Sequence, residues 1–205
     1  MTTEMGAKAA YIQPDTVTFA QMQKTGVTDY QVFTTDDDFE YWSQHTYDVS
    51  ALRPQLAVPS SVDNVMDIDR FVGTPIDQAF LGTCTGGRVE DLATAAAILH
   101  GKHIHPRTRL LVVPASRQVL LEAISLGYIE TLITAGATLV TPGCAACLGT
   151  HEGILAQGES CISSSNRNFP GRMGHTGANV YLASPASVAA SALAGEIVNP
   201  CNYLD

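Results

Sequence analysis

The chain has 205 residues, 45% of them hydrophobic and 15% charged, and its formal net charge at pH 7 is −9. This length suits one large α/β domain, or one domain with part of another. The negative charge argues against nucleic acid or an anionic membrane as the main partner, because both attract an excess of Lys and Arg. An anionic small substrate still fits, since a few arginines override the overall sign locally.

No apolar run approaches the ~20 residues that a membrane-spanning helix needs. The first residues also lack the basic and then apolar order of a secretory signal. We therefore expect a soluble, cytoplasmic protein without a membrane partner.

The first 70 residues have an irregular pattern. Ala9–Ile12 predicts a short strand, Thr16–Lys24 a short helix and Thr34–Phe39 an acidic turn. Gln55–Pro59 predicts a strand that ends at proline. We assign residues 1–70 to a partial α/β subdomain.

Strand-like and helix-like runs alternate regularly from residue 77 onward. The predicted strands are Gln78–Gly82, Arg109–Val113, Thr138–Val140, Ser160–Ser163 and Asn179–Ala183. The predicted helices are Val89–His100, Ser116–Leu126, Ile129–Ala135 and Pro185–Ala194. This order predicts βαβ units, a mostly parallel sheet covered on both faces and a three-layer α/β/α fold, with residues 71–205 as one α/β domain.

Three cysteines lie among small, turn-forming residues directly after predicted strands. Cys84 follows the strand that ends at Gly82, and Cys144-Ala-Ala-Cys147 follows the Thr138–Val140 strand. Both would lie at the carboxyl ends of strands, where open α/β sheets bind ligands. Three thiolates can hold an iron–sulfur cluster and leave one iron open to substrate, whereas a fourth cysteine would favour electron transfer or a structural role.

Other interpretations of these cysteines stay open at this point. The Cys144-x-x-Cys147 spacing also occurs in redox disulfides and in half of a zinc site, and a glycine-rich turn like that around Cys84 is also an anion-binding or structural loop. Three histidines could complete a zinc site, although we interpret them as loop, surface or ligand-supporting residues: His103, His105 and His151.

The remaining cysteines carry no such pattern. We interpret Cys161, within a predicted strand, and Cys201, near the C-terminus, as packing or incidentally exposed residues. In contrast, the turn-rich segment Ser163–Arg172 concentrates serines, asparagines and arginines. That composition suits the bidentate binding of carboxylates.

Taken together, these segments resemble the large subunit of the aconitase superfamily, and most closely its 3-isopropylmalate dehydratase and homoaconitase branch. The resemblance runs through nearly the whole chain. Further segments that carry it are Glu4-Met-Gly-Ala7, Val58–Asn64, Leu110–Arg117 and Tyr181–Ala186. It implies the fold of the aconitase iron–sulfur domain for residues 71–205.

The resemblance also implies a cofactor, a substrate and a reaction. The metal ligands it implies for a [4Fe-4S] cluster are Cys84, Cys144 and Cys147. The residues it implies for holding a carboxylate substrate and supporting the cluster are Asn166, Arg167 and Arg172, and Glu4 matches an acidic residue that hydrogen-bonds the iron-bound water or hydroxyl. The implied reaction isomerises a 2-hydroxy di- or tricarboxylate by dehydration and rehydration.

Two departures from the family pattern lead to an alternative. Gly86 stands where the family motif Cys-Thr-Asn-Gly has asparagine. The family also has some hundreds of residues before the position of Met1, and a swivelling domain, so we expect the missing N-terminal region and a small swivelling subunit as partners and an isolated chain without activity. The alternative is a truncated domain that acts as a binding or assembly module without a cluster.

Overall fold

The computed structural model describes residues 2–204, so Met1, which belongs to the N-terminal family element, lies outside the described residues. The chain forms two compact units, Met1–Ala51 and Leu52–Asp205. The division at residue 70 that the sequence suggested stays a prediction. Each unit is described by itself below.

From residue 2 to residue 51, the structure has one helix, α1, Thr16–Lys24. It begins where the side chain of Asp15 accepts a hydrogen bond from the Thr18 N–H at 2.9 Å, which satisfies an otherwise unpaired donor of the first turn. The helix and the acidic turn, closed by a bond from the Phe39 N–H to the Asp36 carbonyl at 3.1 Å, are confirmed. The strand predicted at Ala9–Ile12 is wrong, because this apolar run pairs with no other strand among the described residues.

The second unit is built on a seven-stranded sheet in the order β2-β1-β7-β6-β3-β4-β5. Its strands are β1 Gln55–Ala57, β2 Val65–Asp67, β3 Gln78–Gly82, β4 Arg109–Val113, β5 Thr138–Leu139, β6 Ser160–Ser163 and β7 Asn179–Leu182. Strands β7, β6, β3, β4 and β5 pair in parallel with one another in that order, whereas β1 pairs antiparallel with both β7 and β2. The sheet is thus mostly parallel, as predicted.

Alternate residues of the central strands face two separate cores. On β3, Ala79 and Leu81 belong to one hydrophobic cluster and Phe80 to the other, as expected when side chains alternate along a strand. The first cluster packs against the helices α3 Val89–Leu99, α4 Arg117–Ser125, α5 Tyr128–Thr134 and α6 Pro185–Ala194. The sheet flanked by helices confirms the predicted α/β class.

The second cluster lies beneath the chain that leads from β5 to β7. Phe80, Leu111 and Val113 of the sheet meet Ala146, Cys147 and Met173, all of them buried. The 3₁₀ turn Ala145–Leu148 supplies the helical part of this layer. One cysteine of the Cys144/Cys147 pair is therefore part of the hydrophobic core.

One short strand and one short α-helix were not predicted from the sequence. Strand β2 pairs only with β1 and has only three residues, too few for a period to be recognised. Thr83–Gly86, predicted as a turn, forms a four-residue helix, α2. Within residues 2–204 no helix combines the length and the apolar character that crossing a lipid bilayer requires.

Candidate functional site

Three polar segments follow neighbouring parallel strands at one edge of the sheet. Cys84 lies two residues after β3, Asn166 three residues after β6 and Cys144 five residues after β5. Strand β3 pairs in parallel with both β6 and β4, and β4 pairs with β5. Because parallel strands end at the same edge, the structure places these segments at the edge where α/β sheets bind ligands.

The turn that carries Cys84 has a strained backbone. Gly82 has φ +149°, and Thr83, a β-branched residue, has φ +64°, a conformation that such residues rarely adopt. Thr83 is buried and its hydroxyl has no hydrogen-bond partner in the described chain, whereas Cys84 is exposed. Strain of this kind concentrates at functional sites, and here it presents a thiol to the outside.

The cysteine pair lies on a second strained turn. The Cys147 N–H donates to the Cys144 carbonyl at 3.0 Å, and Ala145 between them has φ +45°. Cys144 is exposed, whereas Cys147 is 4% exposed. The turn therefore directs one thiol outward and holds the other against the second core.

An arginine contacts the buried thiol of this pair. The Arg172 Nη2 lies 3.8 Å from the Cys147 Sγ, its Nε is buried without a hydrogen-bond partner, and its guanidinium lies 5.6 Å from the centre of the Phe169 ring. A Cβ on Gly149 would lie 3.1 Å from the Arg172 carbonyl, so the two chain segments are closely packed. The Arg172 guanidinium therefore places a positive charge and hydrogen-bond donors directly beside this sulfur.

Hydrogen bonds of the buried Asn168 anchor the segment between β6 and Arg172. Asn168 is 3% exposed, and its Nδ2 lies within 3.2 Å of the carbonyls of Ala57, Val58 and Val180. Asn166 and Arg167, directly before it, are only half-buried. This role of Asn168 was not predicted, because the sequence alone does not distinguish this asparagine from Asn166.

The remaining residues considered in the sequence are Glu4, Cys161 and Cys201. Glu4 is half-buried in a turn of the first unit, where the Gly6 N–H bonds the Thr3 carbonyl at 3.0 Å. Cys161 lies in the core of β6, where burial raises the pKa of its thiol to about 12. Cys201 is exposed in the 3₁₀ turn Pro200–Asn202.

Residues 2–204 contain no group of three or more His, Cys, Asp or Glu side chains arranged to hold a metal ion. Of the histidines considered above, His103 and His151 are exposed, and the Nδ1 of His105 accepts a bond from the Arg107 N–H at 3.3 Å. An iron–sulfur cluster takes its thiolates on separate irons, so its ligands need not converge on one point. The donor set at the edge, three thiols with a guanidinium on one sulfur, fits such a cluster.

Comparison with known proteins identifies the family. Residues 70–195 match the family model described as the aconitase family (aconitate hydratase). The chain belongs to the aconitase family. The matched region runs from just before β3 to the end of α6 and so includes the sheet edge with all three cysteines. Membership of the aconitase family implies an iron–sulfur cofactor.

Relatives within the aconitase family align with nearly the whole chain. A probable methanogen homoaconitase large subunit of Methanosarcina mazei is 50% identical over 200 residues, which cover 98% of this chain and 50% of that protein. The 3-isopropylmalate dehydratase large subunit 1 of Methanopyrus kandleri is 48% identical over 204 residues, 100% of this chain and 49% of that protein. The corresponding large subunit of a Hydrogenobaculum species is 46% identical over 200 residues. The chain spans about half the length of these relatives.

Proposed function

We propose that this chain is the cluster-bearing part of a hydro-lyase that isomerises a 2-hydroxy di- or tricarboxylate by dehydration and rehydration. The observation that carries the proposal is the contact between Arg172 and Cys147, at the sheet edge that also bears Cys84 and Cys144. A cation that touches a thiol beside two exposed thiols suits a negatively charged, thiolate-bound cofactor. The resemblance to dehydratase large subunits supports the same conclusion.

In this proposal the three thiolates hold a [4Fe-4S] cluster with one open iron. Its ligands would be Cys84 and Cys144, which are exposed, and Cys147, which is buried. When bound, an iron with an open position supplies Lewis acidity toward the substrate hydroxyl and one carboxylate. Cys161 is excluded as a ligand by its burial within β6 and by the raised pKa of its thiol.

The segment after β6 binds the substrate carboxylates. Asn166 and Arg167 are half-buried at the edge, and the Nε of Arg172 is a buried donor without a protein acceptor. Guanidinium groups fit carboxylates in a bidentate manner and so fix the orientation of the substrate. Arg172 serves both the cluster ligand and the substrate, because its Nη2 contacts the Cys147 sulfur while its Nε is free for an incoming acceptor.

Glu4 exchanges a proton with the departing hydroxyl. A carboxylate in hydrogen-bond reach of that oxygen can give or accept a proton in either direction of the reaction. A base outside this chain removes the proton from the adjacent carbon.

The proposed enzyme needs two partners that this chain does not supply. One is the remaining half of the large subunit, because the chain spans about half the length of its relatives. The other is a small swivelling subunit, which the name "large subunit" of those relatives suggests. We therefore expect no turnover from the isolated chain.

Anaerobic reconstitution with iron and sulfide tests the cofactor. The wild-type chain should turn brown, with broad absorption near about 400 nm, as thiolate-bound iron–sulfur sites do. Cys144→Ser should lose the cluster, whereas Cys161→Ser, the matched control, should keep it. Equal losses in the two variants would contradict the assigned ligands, and a colourless wild-type chain with three reactive thiols would favour the cluster-free binding module.

Turnover tests the substrate class. The reconstituted chain, with and without the remaining half of the subunit and a small swivelling subunit, is assayed against 3-isopropylmalate, homocitrate and citrate. Activity toward a hydroxy acid should require all partners together and should disappear in Cys84→Ser. A brown, complete assembly without activity toward any of the three acids would contradict the proposed reaction and leave the cluster in place.

A further inference from the structure

Ser164 bonds both ends of the turn that carries Cys84. The Gly82 N–H donates to the Ser164 Oγ at 2.8 Å, and the Ser164 hydroxyl donates to the Gly86 carbonyl at 3.2 Å. The N–H of Ser164 itself donates to the Phe80 carbonyl at 2.9 Å, so its backbone is held by β3. With 4% of its surface exposed, this serine is inside the protein, and its hydroxyl both accepts and donates a hydrogen bond.

The turn needs such an anchor because of its backbone conformation. Thr83 holds φ +64° directly before Cys84, and residues in sparsely populated conformations keep them only where several contacts enforce them. A second anchor follows the turn, where the Ala115 N–H donates to the Gly87 carbonyl at 2.8 Å. Of these two anchors, only Ser164 reaches both the residue before Thr83 and the residue at the end of α2.

We infer that Ser164 is a positioning residue, which sets the place of the Cys84 thiol through the Gly82 N–H and the Gly86 carbonyl. The role in cluster binding rests on the proposed function, whereas the dependence of the turn on Ser164 does not. Ser164 also lies two residues before Asn166 in the chain. One hydroxyl thus couples the position of a cluster ligand to the start of the segment that binds carboxylates.

The space around Ser164 explains why position 86 is glycine. A Cβ on Gly86 would lie 2.4 Å from the Ser164 Oγ and 2.6 Å from its carbonyl oxygen. Both distances are far below van der Waals contact. The serine therefore occupies the volume that a side chain at position 86 would need, and the two positions are coupled.

Hydrogen exchange of the cluster-free chain tests the anchor. In Ser164→Ala the Gly82 amide loses its acceptor, and its exchange should become about tenfold faster, as expected when one buried hydrogen bond is lost. Ser165→Ala is the matched control, because the Ser165 hydroxyl bonds Ser163 at 2.7 Å and not the turn. Ser164→Thr, which keeps the hydroxyl, should restore slow exchange. Equal exchange rates in Ser164→Ala and the wild type would overturn the inference.

Two further measurements complete the test. Protection of the Gly82 amide in the wild-type chain needs no variant, and an unprotected amide would overturn the inference even if Ser164→Ala does not fold. After reconstitution, Ser164→Ala should lose its cluster faster than Ser165→Ala. Once the cluster is reduced by one electron to its paramagnetic state, Ser164→Ala should also show a shifted electron paramagnetic resonance spectrum; an identical spectrum and rate would overturn the link to Cys84. If the wild type takes up no cluster but Ser164→Ala still accelerates Gly82 exchange, the proposed function fails and the anchor stands.

Discussion

Gly86→Ala should destabilise the protein, because the new methyl group has no space. Its Cβ would lie 2.4 Å from the Oγ, 2.5 Å from the Cβ and 2.6 Å from the carbonyl oxygen of Ser164. The Oγ can rotate away only by giving up its bonds to Gly82 and Gly86, and the carbonyl oxygen cannot rotate at all. Overpacking costs about 1–3 kcal/mol and the loss of a buried hydrogen bond about 1 kcal/mol. We expect a loss of about 2–4 kcal/mol in the free energy of unfolding.

Urea denaturation of the cluster-free chain measures this loss, with Gly143→Ala as the matched control. Gly143 directly precedes the cysteine pair, but the nearest atom to its Cβ would be the Thr141 carbonyl oxygen at 3.9 Å. A methyl group there meets no clash and stiffens the unfolded chain, so the control should change by less than about 1 kcal/mol and in the stabilising direction.

The same pair of variants also separates steric effects from effects on the cofactor. Gly86→Ala should retain less iron after reconstitution than Gly143→Ala, since only the former displaces Ser164 and the turn of Cys84. If Gly86→Ala is as stable as Gly143→Ala, the close packing of Gly86 against Ser164 is refuted as the reason for glycine at this position.

Three further predictions concern the site and the core. Arg172→Lys keeps the charge but loses the fork that reaches Cys147, so the reconstituted cluster should be lost to a chelator about 10–100-fold faster, the usual effect of a group that supports a metal ligand. Burial raises the pKa of the Cys161 thiol from 9.0 to about 12. This thiol therefore stabilises the fold fully below pH 9.0 and loses its contribution as the pH rises toward 12. Urea titrations between those pH values should show the wild type losing about 1.4 kcal/mol per pH unit more than Cys161→Ala. Leu81→Ala in the core should cost about 2–5 kcal/mol by thermal or urea unfolding, whereas Leu121→Ala, at a side chain 61% exposed, should change stability by less than about 0.5 kcal/mol.

The sheet was predictable because its central strands are continuous apolar runs. Arg109–Val113 and Gln78–Gly82 form strands with the bounds that the sequence indicates, and helix α6 begins at Pro185 directly after its capping Ser184. An apolar run and a capping residue are formed by neighbouring residues in the chain, so the sequence alone reveals them. The false strand at Ala9–Ile12 shows the limit, since an apolar run becomes a strand only when a partner strand is available.

The sequence motifs indicate candidate site residues but not how the fold arranges them. The motifs indicated Cys84, Cys147 and Arg172, yet the contact between Arg172 and Cys147 joins residues 25 positions apart in the chain. Likewise, no composition signal distinguishes Ser164 from Ser165, although only the former bonds the turn of Cys84. The bond to Ser164 depends on how strands β3 and β6 pair, which is a property of the folded sheet.

One chain segment, residues 163–172, holds both cysteine turns at this edge. Ser164, near its beginning, bonds the strained turn of Cys84, and Arg172, at its end, contacts Cys147 beside the strained Ala145. A strained turn keeps its conformation only while its contacts persist, so a shift of this segment would move two of the three thiols together. Asn166 and Arg167, which are proposed to bind the carboxylates of the substrate, lie between these two anchors, and Arg172 is proposed to bind them as well. In the proposed function the cluster and the substrate would depend on the same ten residues, and a variant that loosens either anchor should impair cluster retention and carboxylate binding together.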